Sequence, residues 1–261
     1  MDDAGYFPGS ALAMIKARLL KMHFDARVGH IGGNLSCIDA VAHLHLQVML
    51  EDDVFVLSKG HAAGALYATL WATGDITEAE LLSYYKDGTH LAAHPAARWN
   101  RRIRFGTGSL GHGLGLATGV AFAKRLRHEA GTTYCLMGDG ECQEGSIWEA
   151  AAFAQHHGLS NLVCLVDANG WQGFGRTGEV GGAAPLAGRF RALGLQVEEI
   201  GGHSSTALDL ALRRRSEGPL VVVLDTVKGH GVSFMEDRME WHYLPMSPDQ
   251  YDLALQELEA A

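Results

Sequence analysis

No stretch of this 261-residue chain approaches the roughly 20 consecutive apolar residues that span a bilayer, which leaves out a membrane-crossing helix. The opening MDDAGYFPGS is acidic and lacks an apolar core segment, so no secretory signal is expected. Basic residues are in deficit, 21 Lys and Arg against 30 Asp and Glu, for a formal charge of −9. That balance argues against a nucleic-acid groove or an anionic membrane surface. The four cysteines, Cys37, Cys135, Cys142 and Cys164, form no CxxC pair. They read as reduced core residues of a cytoplasmic protein, not as a disulfide frame or a zinc site. Internal repeats, low-complexity segments and a convincing interdomain linker are also missing, and the length suits one α/β domain.

What is abundant is glycine, 33 residues, and histidine, 14 residues. The glycines gather beside His, Asp and Asn, where backbone is brought close to something. Helical periodicity covers 10–27, and GHIGGN follows as an expected loop. Ser36 is positioned to cap a helix running to about Met49. Val54–Leu57 reads as a short buried strand that turns through Ser58-Lys59-Gly60-His61 into a helix. Thr77 and Glu80 form a capping box for a helix over 78–86. Residues 88–105 look irregular, and a helix is expected over about 110–129. Strands are expected at 132–137, 161–166, 195–200 and 220–225, with helices at 146–157 and 205–215. This alternation predicts a mostly parallel sheet with helices on both faces. The glycine-rich connection 170–183 is long enough to suggest a functional loop.

Gly138-Asp139-Gly140 ends one predicted strand, and Asn169 ends the next, thirty positions later. Ligands of open α/β sheets bind at such strand C-termini. A carboxylate and an amide oxygen suit a hard cation, and the cation in turn suits a diphosphate. Gly106-Thr107-Gly108-Ser109-Leu110-Gly111 formally matches GxGxxG at the start of a helix, where backbone N–H groups and the helix dipole favour phosphate. The dinucleotide reading expects an acidic residue about 20 positions onward at a strand end. Glu129 has the spacing but falls in a predicted helix, so nicotinamide binding ranks below a metal–diphosphate site. Four histidines stand in glycine or proline loops or beside aromatics: His30, His61, His94 and His242. Converging imidazoles suit polyol chemistry, since they donate to hydroxyls and shuttle protons near neutral pH. His23, His43, His45, His128, His156 and His157 read as ordinary core or surface residues.

The segments GHIGGNLS, LSKGHAAGALY, GTGSLGHGLGLATGVAFA, GDGECQEGSIWEA, DANGW and VKGHGVSFMED…WHY occur here in the order found in transketolases. The resemblance spans nearly the whole chain, which looks most like the N-terminal subunit of a split, thiamine-diphosphate-dependent transketolase. It implies a thiamine diphosphate-binding fold, here the diphosphate-binding module over 1–261. It implies Mg²⁺, or Ca²⁺, held by Asp139, the Asn169 side chain and the Trp171 carbonyl. His61 and the backbone at Gly108, Leu110 and Gly138 would contact the cofactor diphosphate. His30, His61, His94 and His242 would face the sugar, with His30 or His242 helping to remove a hydroxyl proton. Glu144 would lie near a subunit interface. The family usually carries lysine and glutamine where this chain has His230 and His112, and those two histidines are left without a role. It often has a smaller aliphatic residue where Trp171 stands.

Nothing after residue 242 maps to the pyrimidine-binding module of transketolases. Asp249, Asp252, Glu257 and Glu259 read as a solvated C-terminal helix. The chain is therefore expected to need a complementary subunit, in an α2β2 heterotetramer with active sites at the interface, acting on sugars or sugar phosphates. Alternatives on the same cofactor are 1-deoxyxylulose-5-phosphate synthase-like or phosphoketolase-like chemistry. An alternative of a different class is a non-catalytic, cofactor-holding or regulatory subunit.

Overall fold

Alternate residues of each central strand point to opposite faces, and both sets are apolar, so the strands can only be stable between two layers. The computed structural model, which describes residues 11–181 and 185–260, shows that arrangement. The N-terminal ten residues, with Ser10 and the acidic opening, lie outside it. Strands β1 (Val54–Leu57), β2 (Thr133–Gly138) and β3 (Leu162–Ala168) are followed by a two-stranded hairpin, β4 (Trp171–Gln172) and β5 (Gly175–Arg176). Strands β6 (Gln196–Gly201) and β7 (Leu220–Asp225) complete the set. The main sheet has the order β1-β2-β3-β7-β6 and every pairing is parallel. Edge strand β6 alternates between half-buried and exposed residues toward its end, while β1, β2, β3 and β7 are almost continuously buried.

One face packs Phe55, Leu57, Tyr134, Leu136, Val163, Leu165, Val222 and Leu224 against α1 (Ala11–Ala26), α2 (Ile31–His43), α3 (Ala63–Ala72) and the short α4 (Glu78–Leu81). The other packs Val54, Val56, Cys135, Met137, Cys164, Val166 and Val221 against α5 (His112–Leu126) and α6 (Gly145–His156). Helix α7 (Thr177–Gly181) closes the hairpin segment, and Phe190 of α8 (Leu186–Ala192) adds a fully buried ring to the second face. Helix α9 (Ser205–Arg213) contributes Leu208 and Ala211 to the first. Each fully buried aliphatic or aromatic side chain of these layers adds roughly 1.5–3 kcal/mol of transfer free energy. All four cysteines are free and buried, as their apolar settings predict.

Several boundaries differ from the sequence reading for identifiable reasons. GHIGGN is not a loop: α2 starts at Ile31, and only Gly29 and His30 form the turn. Helix α2 needs glycine at its start because Lys228 and Trp241 pack against Gly32. Ser36 lies inside α2, so it is not an N-cap; its hydroxyl donates to the Gly33 carbonyl and to Asp167. The capping box at Thr77 and Glu80 is present, but α4 ends at Leu81 and the chain turns through a left-handed Tyr85. The expected loop 170–183 contains β4, β5 and α7, and its last two residues lie outside the described residues. The C-terminal α10 (Pro248–Ala260) is not wholly solvated. It packs Ala254 and Leu258 into the core and stacks Tyr251 on Phe24 at 4.4 Å, while Glu257 accepts from the Ser233 N–H and hydroxyl. No described helix is long and apolar enough to cross a membrane.

Candidate active site

Because the main sheet is parallel, the segments leaving β1, β2, β3 and β7 emerge at one end. They bring Ser58 to His61, Gly138 to Glu141, Asp167 to Asn169 and Thr226 to Lys228 together. Asp139 is 5 % exposed, and its carboxylate accepts from the Gly140 and Gly170 N–H groups at 2.8 and 2.9 Å. Among the described residues no ion pair reaches it. Burial, and then the negative charge of Asp167, push its pKa up. Asn169 is oriented by its partners: its amide N–H₂ donates to Asp167 at 3.0 Å and to Ser36 at 3.2 Å. Its oxygen is thereby turned the other way and accepts from the Trp171 N–H at 3.0 Å. A buried carboxylate with no direct ion-pair partner among the described residues and an oriented amide oxygen form a hard-oxygen donor set, which fits a Mg²⁺- or Ca²⁺-sized cation.

Trp171 begins the hairpin, and its side chain is engaged by a surface ion pair. Its indole N–H donates to Asp237 at 2.8 Å, and the Arg176 guanidinium lies 4.1 Å from the ring centre. Arg176 also forks onto both oxygens of Asp237, at 2.7 and 2.6 Å. The Tyr243 hydroxyl donates to the Gly173 carbonyl at 2.6 Å. The segment after Asn169 is thus clasped to the one preceding α10.

The four loop histidines come together. His30 lies at the centre, with ring centroids 5.6 Å from His61, 6.3 Å from His94 and 5.2 Å from His242; His61 and His242 are 5.6 Å apart. His30 caps α2 in the left-handed region at φ 67°. For a non-glycine residue that conformation costs about 1–2 kcal/mol, and it persists only where neighbours over-determine it. Here the His30 N–H donates to the His242 carbonyl at 3.1 Å, and Asn34 donates to the His30 and His61 carbonyls at 2.8 and 3.1 Å. The Asn34 oxygen accepts from the Ala65 N–H at 2.7 Å, so one buried amide sets the relation of α2 to α3. All four rings are held neutral. Burial lowers the pKa of each, and the charges of Lys59 on His61, of His94 and Lys228 on His30, and of Lys228 on His242 lower it further; His242 is brought to about 3.

Gly108 has φ 140°, and a Cβ there would sit 2.9 Å from the His94 ring, so this segment takes glycine for both conformation and space. Leu110 is exposed, and Gly111 caps α5 in the left-handed region at φ 85°. The Gly138 and Gly111 N–H groups are both taken by Glu141, at 3.1 and 2.9 Å, and Ser58 donates to the same carboxylate. Glu144 is exposed, at the entry to α6. His112 is exposed at the start of α5. His230 stacks on His203 at 3.5 Å, away from the four-histidine cluster.

Five positions inside the quoted segments were given no role by the sequence reading and prove to be engaged at the site: Asn34, Lys59, Glu141, Asp167 and Lys228. Lys59 and Asp167 form an ion pair with side chains 1 % and 0 % exposed. Asp167 also accepts from Ser36 at 2.6 Å and Thr226 at 2.5 Å. Burial alone would raise the Asp167 pKa; the Lys59 charge and these hydrogen bonds outweigh it and leave it lowered. The available clue was that Lys59 and Asp167 adjoin motif residues while lying at strand ends.

The geometry defines a class of protein: an α/β module with a hard-cation donor pair at two strand ends and a neutral polyhistidine patch beside it. Residues 14–259 match the family described as transketolase, thiamine diphosphate binding domain. The chain is 37% identical over 244 residues to the 6-deoxy-6-sulfo-D-fructose transketolase subunit SqwG of Clostridium sp. (strain MSTE9), covering 89% of each chain. It is 36% identical over 255 residues to an apulose-4-phosphate transketolase subunit of Phocaeicola vulgatus, covering 93% of this chain and 90% of that one. The transketolase structure from Campylobacter jejuni superposes with a TM-score of 0.85 at 26% identity, over 95% of this chain. The chain spans 41% of the length of that enzyme. This protein belongs to the transketolase family and carries its thiamine diphosphate-binding domain.

Proposed function

We propose that this chain is the diphosphate-binding subunit of a split transketolase. With a complementary pyrimidine-binding subunit, in an α2β2 assembly, it would transfer a two-carbon ketol unit from a ketose or its phosphate to an aldose or its phosphate. The observation that carries the reading is the convergence of the four histidines at the same end of the parallel sheet as the buried Asp139 and the oriented Asn169. Asp139, the Asn169 amide oxygen and the Trp171 carbonyl would hold Mg²⁺, with Ca²⁺ an acceptable substitute on the same oxygen donors. His61 and the backbone at Gly108 and Leu110 would receive the diphosphate, and Gly138, expected to join them, would line the site without donating because its N–H is taken by Glu141. Thiamine diphosphate, when bound, supplies the carbanion-stabilising chemistry. The protein groups orient the sugar: neutral imidazoles donate to hydroxyls or accept from them, and His30 is placed to take a hydroxyl proton.

One observation supports a separate partner: the relatives of matching length are named as subunits. Glu144, exposed at the entry to α6, would sit at that interface. Both nearby lysines are engaged, Lys59 by Asp167 and Lys228 by His242, so the anionic end of a sugar phosphate would be read by the partner. Four buried thiols fit a reducing, cytoplasmic setting.

The test is a two-carbon transfer assay on this chain alone and mixed with the product of the neighbouring reading frame, each with thiamine diphosphate and Mg²⁺. Activity only in the mixture is expected. Full activity of this chain alone would overturn the split reading. Mg²⁺-dependent cofactor binding by the pair without transfer would replace it with a cofactor-holding role.

A further inference from the structure

Lys228 leaves β7 and is only 1 % exposed. Its stem lies against Gly32, where an added Cβ would come within 3.1 Å of the Lys228 Cγ and of the Trp241 Cβ. The backbone on either side of it is pinned. The Gly229 N–H donates to the Gly32 carbonyl at 2.9 Å, and the Val227 N–H donates to the His203 Nε2 at 2.9 Å. His203 in turn bonds through Nδ1 to Asp39 at 2.6 Å. Lys228 Nζ, so placed, lies 3.1 Å from His242 Nδ1.

An ammonium has three donors and no acceptor. His242 Nδ1 facing it must be the acceptor, and a neutral ring that accepts at Nδ1 carries its proton on Nε2. Among the described residues no hydrogen bond engages Nε2. We propose that Lys228 is a positioning residue that locks His242 in the Nε2–H tautomer, so that His242 donates a hydrogen bond to a substrate oxygen and does not act as the base. The inference deepens the transketolase reading and rests on it for the identity of that oxygen. It also divides the labour within the cluster. His242 has its one lone pair occupied, whereas among the described residues no hydrogen bond engages either nitrogen of the His30 ring, so removal of a hydroxyl proton falls to His30.

The burial that hides Lys228, together with the charge of Lys59, lowers its pKa to about 8, and the ammonium form still predominates at neutral pH. His242 is faced by Lys228 from the segment after β7, by Lys59 from the turn after β1 and by His30 from the start of α2, and these charges work against its own protonation. Burial is the larger cause of the neutral ring, and the lysine that makes the lock adds to it.

The experiment uses the reconstituted two-subunit protein carrying ¹⁵N-histidine. The expected spectrum assigns His242 as the neutral Nε2–H tautomer, and Lys228→Met converts it to a mixture of both. In transfer assays His242→Gln, which keeps a terminal N–H donor but cannot take a proton, is expected within about tenfold of wild-type kcat. His242→Ala is expected to lose on the order of 100-fold or more, the scale of one transition-state donor. A wild-type His242 found as the Nδ1–H tautomer overturns the proposal, and so does a His242→Gln variant as inactive as His242→Ala. If the wild-type pair transfers no ketol unit at all, the functional reading fails, while the spectrum still decides the Lys228–His242 lock on its own.

Discussion

Asp139 and Asp167 end neighbouring strands, with Gly138 paired in register to Asp167, yet their surroundings are opposites. Asp167 is fully buried and meets Lys59, Ser36, Thr226 and Asn169, and its pKa is lowered. Asp139 is nearly as buried and meets two backbone N–H groups and no cationic side chain at hydrogen-bond range; burial outweighs the Thr177 hydroxyl and the more distant Lys59 charge, and its pKa is raised. The difference separates two uses of a buried carboxylate. One that the protein satisfies fully holds strand ends together. One left without a direct partner can be completed from outside, and on the proposed function a divalent cation would do so with the chemistry the site offers.

The largest expected effect follows from breaking the satisfied member. Asp167→Asn leaves Lys59 as a buried charge without its partner, at a cost of about 3–5 kcal/mol. Urea unfolding of the cofactor-free chain should show the midpoint falling accordingly. Adding Lys59→Met should restore a large part of it, because the uncompensated charge goes too. The pH dependence has a definite sign. Asp167 has a depressed folded pKa, so its contribution is present above the ordinary carboxylate range and is lost as pH falls through the depressed value. A double variant no more stable than Asp167→Asn alone would show that the pair is not the main tie.

Asp139→Asn should do the reverse. Mg²⁺-dependent cofactor binding, read by calorimetry on the two-subunit protein, should weaken by about 100-fold or more, as for loss of a ligand or its close support. The cofactor-free fold should keep its stability to within about 1 kcal/mol. The variant loses one acceptor for the Gly140 and Gly170 N–H groups, but it also removes a charge that burial disfavours. For a carboxylate with a raised folded pKa, stability declines as pH rises from the ordinary range through the raised value, so the neutral amide gains most at neutral pH. Equal loss of stability in Asp139→Asn and Asp167→Asn would erase the distinction between them.

The contrast also needs the neighbouring imidazoles to stay neutral, since four imidazolium rings would supply the missing positive charge. Their folded pKa values all lie below the ordinary 6.5, with His242 at about 3. The acid limb of transfer is therefore expected below the ordinary histidine range, because protonation of each ring is displaced downward from 6.5. The stabilising effect of these groups is present above 6.5 and is lost as pH falls from there toward the depressed values. An acid limb centred near 6.5 that disappears in His30→Gln would count against a neutral cluster.

Much of this was legible in the sequence. The alternation of strand and helix patterns pointed to the parallel sheet, Val54–Leu57 fell where expected, and the four histidines chosen for their loop settings converge within 6.3 Å of His30. What escaped had a physical reason. Asp167 reads as one more strand residue, and its importance lies in contacts with Ser36, Lys59 and Thr226 that are 131, 108 and 59 positions away. Ser36 had the composition of a cap, but tertiary burial placed it mid-helix. Asn34 acts through two long-range hydrogen bonds and Lys228 through one, which leave no periodic trace.

The smallest effect concerns Trp171, which lies in the segment that joins the two carboxylate environments. Its N–H already donates to the Asn169 oxygen, while its ring is spent on Asp237 and Arg176 at the surface. Trp171→Leu keeps the backbone carbonyl and N–H and removes only the indole hydrogen bond and the cation–π contact. Such exposed contacts are modest, and cofactor affinity should fall about two- to fivefold, as ordering of the hairpin is passed on weakly. Calorimetry beside Asp139→Asn makes the measurement decisive: a loss as large as that of Asp139→Asn would mean that the indole clasp, and not the backbone oxygen, is what the cation site depends on.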